Sequence, residues 1–273
     1  MESATYIAVD WSGAKDEKGQ LAGIWLAIAE SDSLVRLKNG LTRDEVIALL
    51  LNEIEAGGPL YIGLDFAFSF PKWFFHDHQL QRVNDLWQLA ASKGEEWLSG
   101  ETWPFWGKDN TKYQKCPEDL SDHLQFRQTD EDHRDANIKS VFRISGGPGT
   151  VGAGTIRGLP GLTRLQKAGA AIWPFDVPKP DGPNVIEIFP RLFYGSAVTK
   201  SPPVQSRDSR KHYLEKHFPR LERYWKDAMI GSDDAFDAGI SALVMSAHAM
   251  KLQRLKRATQ PPKSLEGEIW SPS

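Results

Sequence analysis

Two short apolar segments of the chain each end on an aspartate, and this pattern constrains the fold more than any other. Tyr6–Asp10 and Leu60–Asp65 are rich in aliphatic and aromatic residues, which predicts two strands. The carboxylate of an aspartate at a strand end points out of the sheet edge, where the ligands of α/β proteins bind. If the two strands are neighbours, Asp10 and Asp65 open into one space. The alternative is that each aspartate only forms a turn.

The segments around these two strands predict the fold class. Residues 22–29 and 34–37 predict two further strands in an antiparallel meander, and Thr42–Ala56 predicts a helix that opens with a capping box. A fifth strand is predicted over Asn184–Pro190. The order of three strands, helix, strand, insertion, strand and helix is the RNase H-like succession. We therefore expect an α/β fold with an RNase H-like mixed five-stranded sheet and helices on both faces.

A large insertion, over about 66–184, is predicted between the fourth and fifth strands. Its Gly-rich stretch, Gly146–Gly161, predicts a mobile loop, because glycine and proline oppose helix formation. A short strand is expected over Ala170–Phe175. We expect a single domain over 1–260, followed by a loose, Pro-rich C-terminal tail over 261–273.

A third acidic element begins the last predicted helix, which runs from about Asp233 to Leu255. Asp234 and Asp237 are three residues apart and therefore lie on one face of that helix. Acids in a first helical turn also stabilise the helix dipole or cap the helix, and this explains Asp233 and Asp234 adequately. It explains Asp237 poorly, because the effect of the dipole fades beyond the first turn.

Acids on separate rigid elements are the arrangement that binds hard divalent cations. Mg²⁺ or Mn²⁺ takes oxygen ligands, and a pair of such ions can activate a water and stabilise the leaving oxygen in phosphodiester cleavage. The expected site holds two ions between Asp10, Asp65, Asp234 and Asp237. Glu187, inside the fifth predicted strand, either joins them or pairs with Arg191 or Lys200.

Four motifs of the chain resemble a family of predicted nucleases with an RNase H fold, catalogued as domain of unknown function 429. The motifs are Val9–Gly13, Gly63–Asp65, Ile186–Pro190 and Ser232–Ala238. The resemblance spans about residues 5 to 250 and matches the insertion only loosely. The last motif is the most specific and is also similar to the final acidic motif of RuvC-type junction resolvases.

This resemblance implies a role for each matching acid. Asp10, Asp65, Asp234 and Asp237 would fall on metal-ligand positions, and Glu187 would be a further acidic position shared with the family. The family's nuclease activity is itself inferred from its fold, so the resemblance bears on the site more than on the substrate.

The net charge of −3 hides an uneven distribution. Residues 76–135 hold thirteen acidic and seven basic residues, whereas residues 200–263 hold thirteen basic and seven acidic ones. Such lobes either steer a polyanion or are merely charged helix surfaces. The candidate phosphate contacts are Lys200, Arg207 and Arg210 in the basic lobe, and Arg157 in the Gly-rich stretch.

Three other signals are weaker. Gly147–Gly152 fits the dinucleotide-binding fingerprint, with Asp176 at a suitable distance, but the glycines and proline that follow argue against the helix that it requires. His76-Asp77-His78 lacks a further clustered zinc ligand and predicts a surface turn. The tryptophans of Trp73–Trp106 either stack on bases or fill the core of the insertion.

The sequence thus favours a metal-dependent nuclease or phosphodiesterase that uses a metal-activated water. The alternative is a non-catalytic RNase H-fold module that binds metal or a phosphorylated ligand, while an actin-like phosphotransferase requires a longer chain with two copies of the fold. The single cysteine excludes an intrachain disulfide. No apolar run is long enough for a membrane helix and no signal peptide is apparent, so we expect a cytoplasmic protein.

Overall fold

The structure is a computed structural model that describes residues 4–99, 102–107, 114–145 and 150–272. Within these ranges, no helix combines the length and the apolar character that crossing a bilayer requires.

Six strands form one mixed sheet in the described part of the chain. They are β1 (Thr5–Asp10), β2 (Trp25–Glu30), β3 (Ser33–Lys38), β4 (Leu60–Leu64), β5 (Ala171–Ile172) and β6 (Pro183–Glu187). Their order across the sheet is β3-β2-β1-β4-β6-β5. The pairs β1–β2 and β2–β3 are antiparallel, whereas β1–β4, β4–β6 and β5–β6 are parallel. The carboxyl ends of β1, β4 and β6 therefore lie side by side at one edge.

Helices cover both faces of this sheet. The α-helices are α1 (Glu17–Gly23), α2 (Arg43–Ala56), α3 (Lys72–Asp77), α4 (Val83–Trp97), α5 (Asp122–Gln125), α6 (Gln128–Asp132), α7 (Val151–Lys167), α8 (Arg191–Tyr194), α9 (Pro203–His217), α10 (Arg223–Gly231), α11 (Asp233–Ala247), α12 (Ala249–Leu252) and α13 (Lys263–Glu266), and Arg134–Ala136 and Gly195–Ala197 form 3₁₀ turns.

Two apolar cores separate the sheet from these helices. On one face the alternate strand residues Ile7 and Val9 share a core with α2, α4 and α7. On the other face Tyr6 and Ala8 pack with α9, α10 and α11. Alternate residues of a strand point to opposite faces, so β1 is buried on both sides. The helices of the segment between β4 and β6 thus complete the first core.

The prediction of an α/β fold with a mixed sheet is confirmed, and the count of five strands is wrong. The additional strand is β5, only two residues long, which pairs with β6 at the sheet edge. It falls inside the segment predicted as Ala170–Phe175. The segment predicted as a strand from residue 22 begins instead in α1, whose Asp16 side chain caps the helix by accepting from Gly19 N at 2.8 Å.

The predicted mobile loop is also wrong, because residues 151–161 belong to the 17-residue helix α7. Gly146–Gly149 lie outside the described residues. The glycines of α7 allow its backbone to approach its neighbours: a Cβ added at Gly158 would lie 2.7 Å from the Phe66 ring, and one at Gly161 would lie 2.9 Å from Ile47. Close packing of these glycines offsets their low helix propensity, which costs about 1 kcal/mol each.

The C-terminal segment, predicted to be loose, packs against the rest of the chain. Trp270 is 3% exposed, and its backbone N–H donates to the Glu187 carbonyl at 2.9 Å. The buried Glu266 side chain accepts hydrogen bonds from the backbone N–H groups of Lys72 and Gln128, at 2.7 and 2.6 Å. A Pro-rich composition therefore did not imply disorder here, because these residues meet specific partners.

Candidate active site

The pairing of β1 with β4 brings Asp10 and Asp65 together. Val9 is in register with Leu64, and Asp65 N donates to the Val9 carbonyl at 3.0 Å. Asp10 is the last residue of β1 and Asp65 directly follows β4, so the two aspartates lie at the same edge of the sheet. Both residues are partly exposed. This juxtaposition is the one that the sequence predicts if the two strands are neighbours.

The carboxyl groups of these two residues share a hydrogen bond. Burial, followed by repulsion from Asp65, Asp237 and Asp234, raises the pKa of Asp10 well above its ordinary value, and the hydrogen bond to the Asp65 carboxyl group raises it further. Burial and the charge of Asp237 raise the pKa of Asp65 to about 7. Two acids that retain a proton near neutral pH form a pair that a cation would stabilise.

Helix α11 supplies the other two acids. Ser232 caps the helix, since its hydroxyl accepts from Ala235 N at 3.2 Å, so no aspartate is needed as the cap. The helix packs across β1 and β2. Gly63 of β4 permits this close contact, because a Cβ there would lie 2.8 Å from the sulfur of Met245. Gly239 of α11 makes room for Met229 of α10, because a Cβ there would lie 2.8 Å from the Met229 Cε.

Asp237 is the most buried member of the cluster, at 4% exposed. One carboxylate oxygen, Oδ2, lies 2.5 Å from Lys200 Nζ. The other, Oδ1, is buried and makes no hydrogen bond of normal geometry among the described residues, and the same is true of the Tyr194 hydroxyl, which interacts with the Asp237 carboxylate. Burial raises the pKa of Asp237, while Lys200 and Tyr194 act in the opposite direction. A buried, unpaired carboxylate oxygen is costly unless it serves a ligand.

Asp234 completes the group of acids that the structure brings together. It is partly exposed, and burial, together with the charge of Asp237, raises its pKa. The charges of Asp234 and Asp237 both act on Asp10, so the acids of α11 lie within electrostatic range of the strand ends. The use of Asp10, Asp65, Asp234 and Asp237 as one metal site stays a prediction.

Glu187 lies next to this group, but its carboxylate is already paired with the guanidinium of Arg127. Arg127 donates to both of its carboxylate oxygens, at 2.6 and 2.8 Å, and Phe68 N donates at 2.8 Å. Neither Arg191 nor Lys200, the partners expected from the sequence, binds it: Arg191 donates to the Val198 carbonyl. The role predicted for Glu187 as a metal ligand therefore conflicts with its saturated environment.

Two of the four predicted phosphate contacts are engaged in structural interactions. Arg210 is buried and bonds to the Ile230 carbonyl and to Asp233. Arg157 pairs with Glu95 at 2.8 Å. It also donates to the Gly13 carbonyl at 2.5 Å and so fixes the loop after Asp10.

The other two predicted contacts differ from each other. Lys200 lies in the acidic cluster itself. Arg207 is exposed on α9 and lines a groove of about 600 Å³ with Lys211, Arg223 and Lys226. Arg207 therefore has the solvent-facing position expected of a phosphate contact in the basic lobe, whereas Lys200 is half-exposed and also contacts Asp237.

Three residues of the site were not predicted from the sequence. Arg43 donates to the carbonyls of Ser12 and Ala14, at 3.0 and 2.7 Å, and fixes the loop after Asp10 together with Arg157. Tyr194 and Arg127 contact Asp237 and Glu187 from segments without a recognisable motif. The only signal for them is that a buried acid needs a buried partner, which does not specify the partner's position in the sequence.

The weaker motifs do not form sites in the described residues. His76 is almost fully exposed, with Asp77 as its neighbour at 3.4 Å, so the zinc reading lacks ligands. The Asp176 carboxylate accepts from Ile172 N and Gln166, at 3.0 and 2.8 Å, and is therefore part of a local turn. The aromatic side chains of the insertion mostly pack together, as Phe70, Phe74 and Phe105 do.

As the side chains stand, no three His, Cys, Asp or Glu residues in the described ranges are arranged to hold a metal ion. The cluster is instead stabilised by the hydrogen bond between Asp10 and Asp65 and by the ammonium of Lys200. The donor set of carboxylate oxygens fits a hard divalent cation.

Comparison with known proteins yields no relative: no protein-family model, no curated protein and no solved structure matches this chain.

Proposed function

We propose that this chain is a metal-dependent phosphodiesterase with an RNase H-like fold, and that its substrate is nucleic acid. The observation that carries the proposal is the buried carboxylate of Asp237, whose Oδ1 lacks a hydrogen bond of normal geometry, beside the hydrogen-bonded pair Asp10 and Asp65. Acids that do no chemistry are seldom buried together, because each one raises the cost of ionising the others.

The fold supports the RNase H-like assignment. Three antiparallel strands, a helix and a parallel fourth strand, with a further parallel strand beside it, are the succession expected for that class. The motif resemblance to the nuclease family of unknown function adds to this. The short β5 and the helices between β4 and β6 are then additions to a five-stranded core.

Asp10, Asp65, Asp234 and Asp237 are the residues that would hold Mg²⁺ or Mn²⁺. When bound, such ions supply Lewis acidity and lower the pKa of water in phosphodiester hydrolysis. The reaction adds water across one P–O bond and yields a phosphate monoester and an alcohol. The chain's own contribution is to fix the acids on rigid elements, with Arg43 and Arg157 fixing the loop after Asp10.

The groove between α9 and α10 is the proposed path for the phosphate backbone. Arg207, Lys211, Arg223 and Lys226 line it, with Asp208, Glu215 and Asp227 as the acidic residues among them. Lys211 and Arg223 lie 3.9 and 3.6 Å from their acidic partners, which are loose ion pairs that a phosphate can replace.

The test is cleavage of single-stranded, duplex and branched DNA and RNA by the purified protein with Mn²⁺. Asp10→Asn and Asp237→Asn should lower the rate at least 100-fold, whereas Glu55→Gln, which changes an exposed acid of α2, should leave it within about twofold. Equal rates in wild type and all three variants would refute the proposal.

One observation favours a second candidate, a non-catalytic module that binds metal or a phosphorylated ligand. Lys200 neutralises Asp237, and no three acids are arranged around one point in the described residues. Tight binding of an oligonucleotide or nucleotide without turnover on any substrate would favour this candidate over the enzyme.

A further inference from the structure

Lys200 is held in place by its own segment, so its contact with Asp237 does not depend on a free side chain alone. The neighbouring Val198 is 2% exposed, and its carbonyl accepts from Arg191 at 2.6 Å. Thr199 N donates to Ser209 Oγ of α9 at 3.2 Å, and the Thr199 hydroxyl donates to the Ser201 carbonyl at 2.8 Å. The two residues that precede Lys200 are therefore anchored to α8 and α9.

The ammonium of Lys200 occupies the side of Asp237 at Oδ2. Nζ lies 2.5 Å from Oδ2, in a short, charge-assisted hydrogen bond. Oδ1 remains buried without a hydrogen bond of normal geometry among the described residues. The position beside Oδ2 is thus already filled by a positive charge that belongs to the chain.

We propose that Lys200 takes the place of a second metal ion, so that the site binds one divalent cation instead of two. This inference rests on the proposed function and deepens it. Asp10 and Asp65 would hold the one cation, and Asp237 would contribute its Oδ1. Lys200 remains on Oδ2.

The balance of charge supports a single ion. One divalent cation and one ammonium nearly neutralise four carboxylates, whereas a second divalent cation would give the cluster a net positive charge. That second ion would also lie next to the Lys200 ammonium and be repelled by it.

The same geometry gives Lys200 a role toward the substrate. Half of its side chain is exposed, and an ammonium has three donors. One of these donors binds Asp237, and the others are available to a phosphate oxygen of the substrate. In a two-metal centre the second metal ion makes the same kind of contact with the substrate. Lys200 is therefore a charge that contacts both the acid cluster and the substrate.

The experiment counts Mn²⁺ bound to the full-length protein at pH 8, by isothermal titration calorimetry and by electron paramagnetic resonance of free Mn²⁺. We expect one ion per chain in wild type and two in Lys200→Met, with the second ion binding at least tenfold more tightly than in wild type. Lys18→Met, which removes an exposed lysine of α1, should bind one. Lys200→Arg retains the charge and should also bind one.

Two ions in wild type would overturn the inference, whether or not Lys200→Met folds. A count that stays at one in a folded Lys200→Met would overturn it as well. Asp65→Asn separates this failure from that of the proposed function: if wild type binds one ion that Asp65→Asn loses, the metal site stands and only the role of Lys200 is wrong. If wild type and Asp65→Asn bind Mn²⁺ equally, the proposed metal site itself fails.

Discussion

At the scale of single residues, the burial and mutual repulsion of the clustered acids lower the stability of the folded chain. No contact among the described residues fully compensates for this cost. Asp65 releases its proton at about pH 7 in the folded chain, whereas an unstructured aspartate does so near pH 4. The folded state therefore holds a proton that the unfolded state has lost between these two values. The associated stability is fully present below about pH 4 and is lost as the pH rises through about 7.

Asp65→Asn should make the metal-free protein more stable at pH 8 while removing Mn²⁺ binding. The amide carries no charge to be repelled by Asp10 and Asp237, so we expect a rise in Tm of about 2–4 °C, corresponding to about 1 kcal/mol. Thermal unfolding from pH 5 to pH 8 with a chelator measures this.

The control for this prediction is Asp208→Asn, which removes an exposed acid. Its Tm should follow that of wild type across the same pH range. If Asp65→Asn were less stable than wild type at pH 8, the account of repulsion within the cluster would be wrong.

The strand-end and helix-face acids could be predicted from the sequence because the periodicity of an element fixes where its residues point. Asp10, Asp65 and Asp237 follow from that rule. Glu187 and Arg210 did not, since a charged residue in a strand or helix gives no sign of which charge it will meet in three dimensions. Their partners, Arg127 and Asp233, come from segments far away in the sequence or from another helix.

At the scale of secondary structure elements, α7 shows tertiary packing overriding intrinsic propensity. Five glycines or prolines in its first eleven residues predict a loop, yet the helix forms because its glycine faces lie against bulky neighbours. The local helix propensities of these residues could be predicted from the sequence, but the surface onto which α7 packs could not. The strands and α2 were predicted more closely, because their apolar patterns and capping residues are local.

Gly158→Ala should destabilise the protein even though alanine is the better helix former. The gain in propensity is about 1 kcal/mol, while a Cβ placed 2.7 Å from the buried Phe66 ring costs about 1–3 kcal/mol through overpacking. We therefore expect a net loss of about 1 kcal/mol in the free energy of unfolding, measured by urea denaturation.

Gly231→Ala is the matched control, because Gly231 is also helical, in α10, and a Cβ there would meet nothing within 4 Å. Its stability should be unchanged or slightly increased. Equal effects at the two positions would mean that α7 does not depend on close approach to Phe66.

At the scale of the whole molecule, one buried arginine joins three distant parts of the chain. Arg127, which precedes α6, donates to Asp130, to Glu187 of β6 and to the Glu266 carbonyl of the C-terminal segment. The strand end that lies beside Asp65 is thereby tied to the insertion and to the end of the chain. Neither the packing of the C-terminal segment nor the course of the insertion was predicted, since both depend on this one set of long-range contacts.

Glu187→Gln should lower the free energy of unfolding by about 3 kcal/mol, because it leaves part of the buried Arg127 charge uncompensated. Mn²⁺ affinity of the folded fraction should change little. Glu131→Gln is the control, since Glu131 forms a more exposed ion pair with Arg134 in the same segment and should cost at most about 1 kcal/mol. A stable Glu187→Gln protein that has lost Mn²⁺ binding would instead make Glu187 a metal ligand.

The central claim is that Asp10, Asp65 and Asp237 together form a cation site at the sheet edge. Anomalous diffraction at the manganese edge, from crystals soaked in Mn²⁺ at pH 8, tests it most directly. We predict a peak between the carboxylates of Asp10 and Asp65, close to Asp237, and no peak there in crystals of Asp65→Asn. Saturating Mn²⁺ with no peak at this position in wild type, or a peak only elsewhere such as beside His76, would contradict the claim.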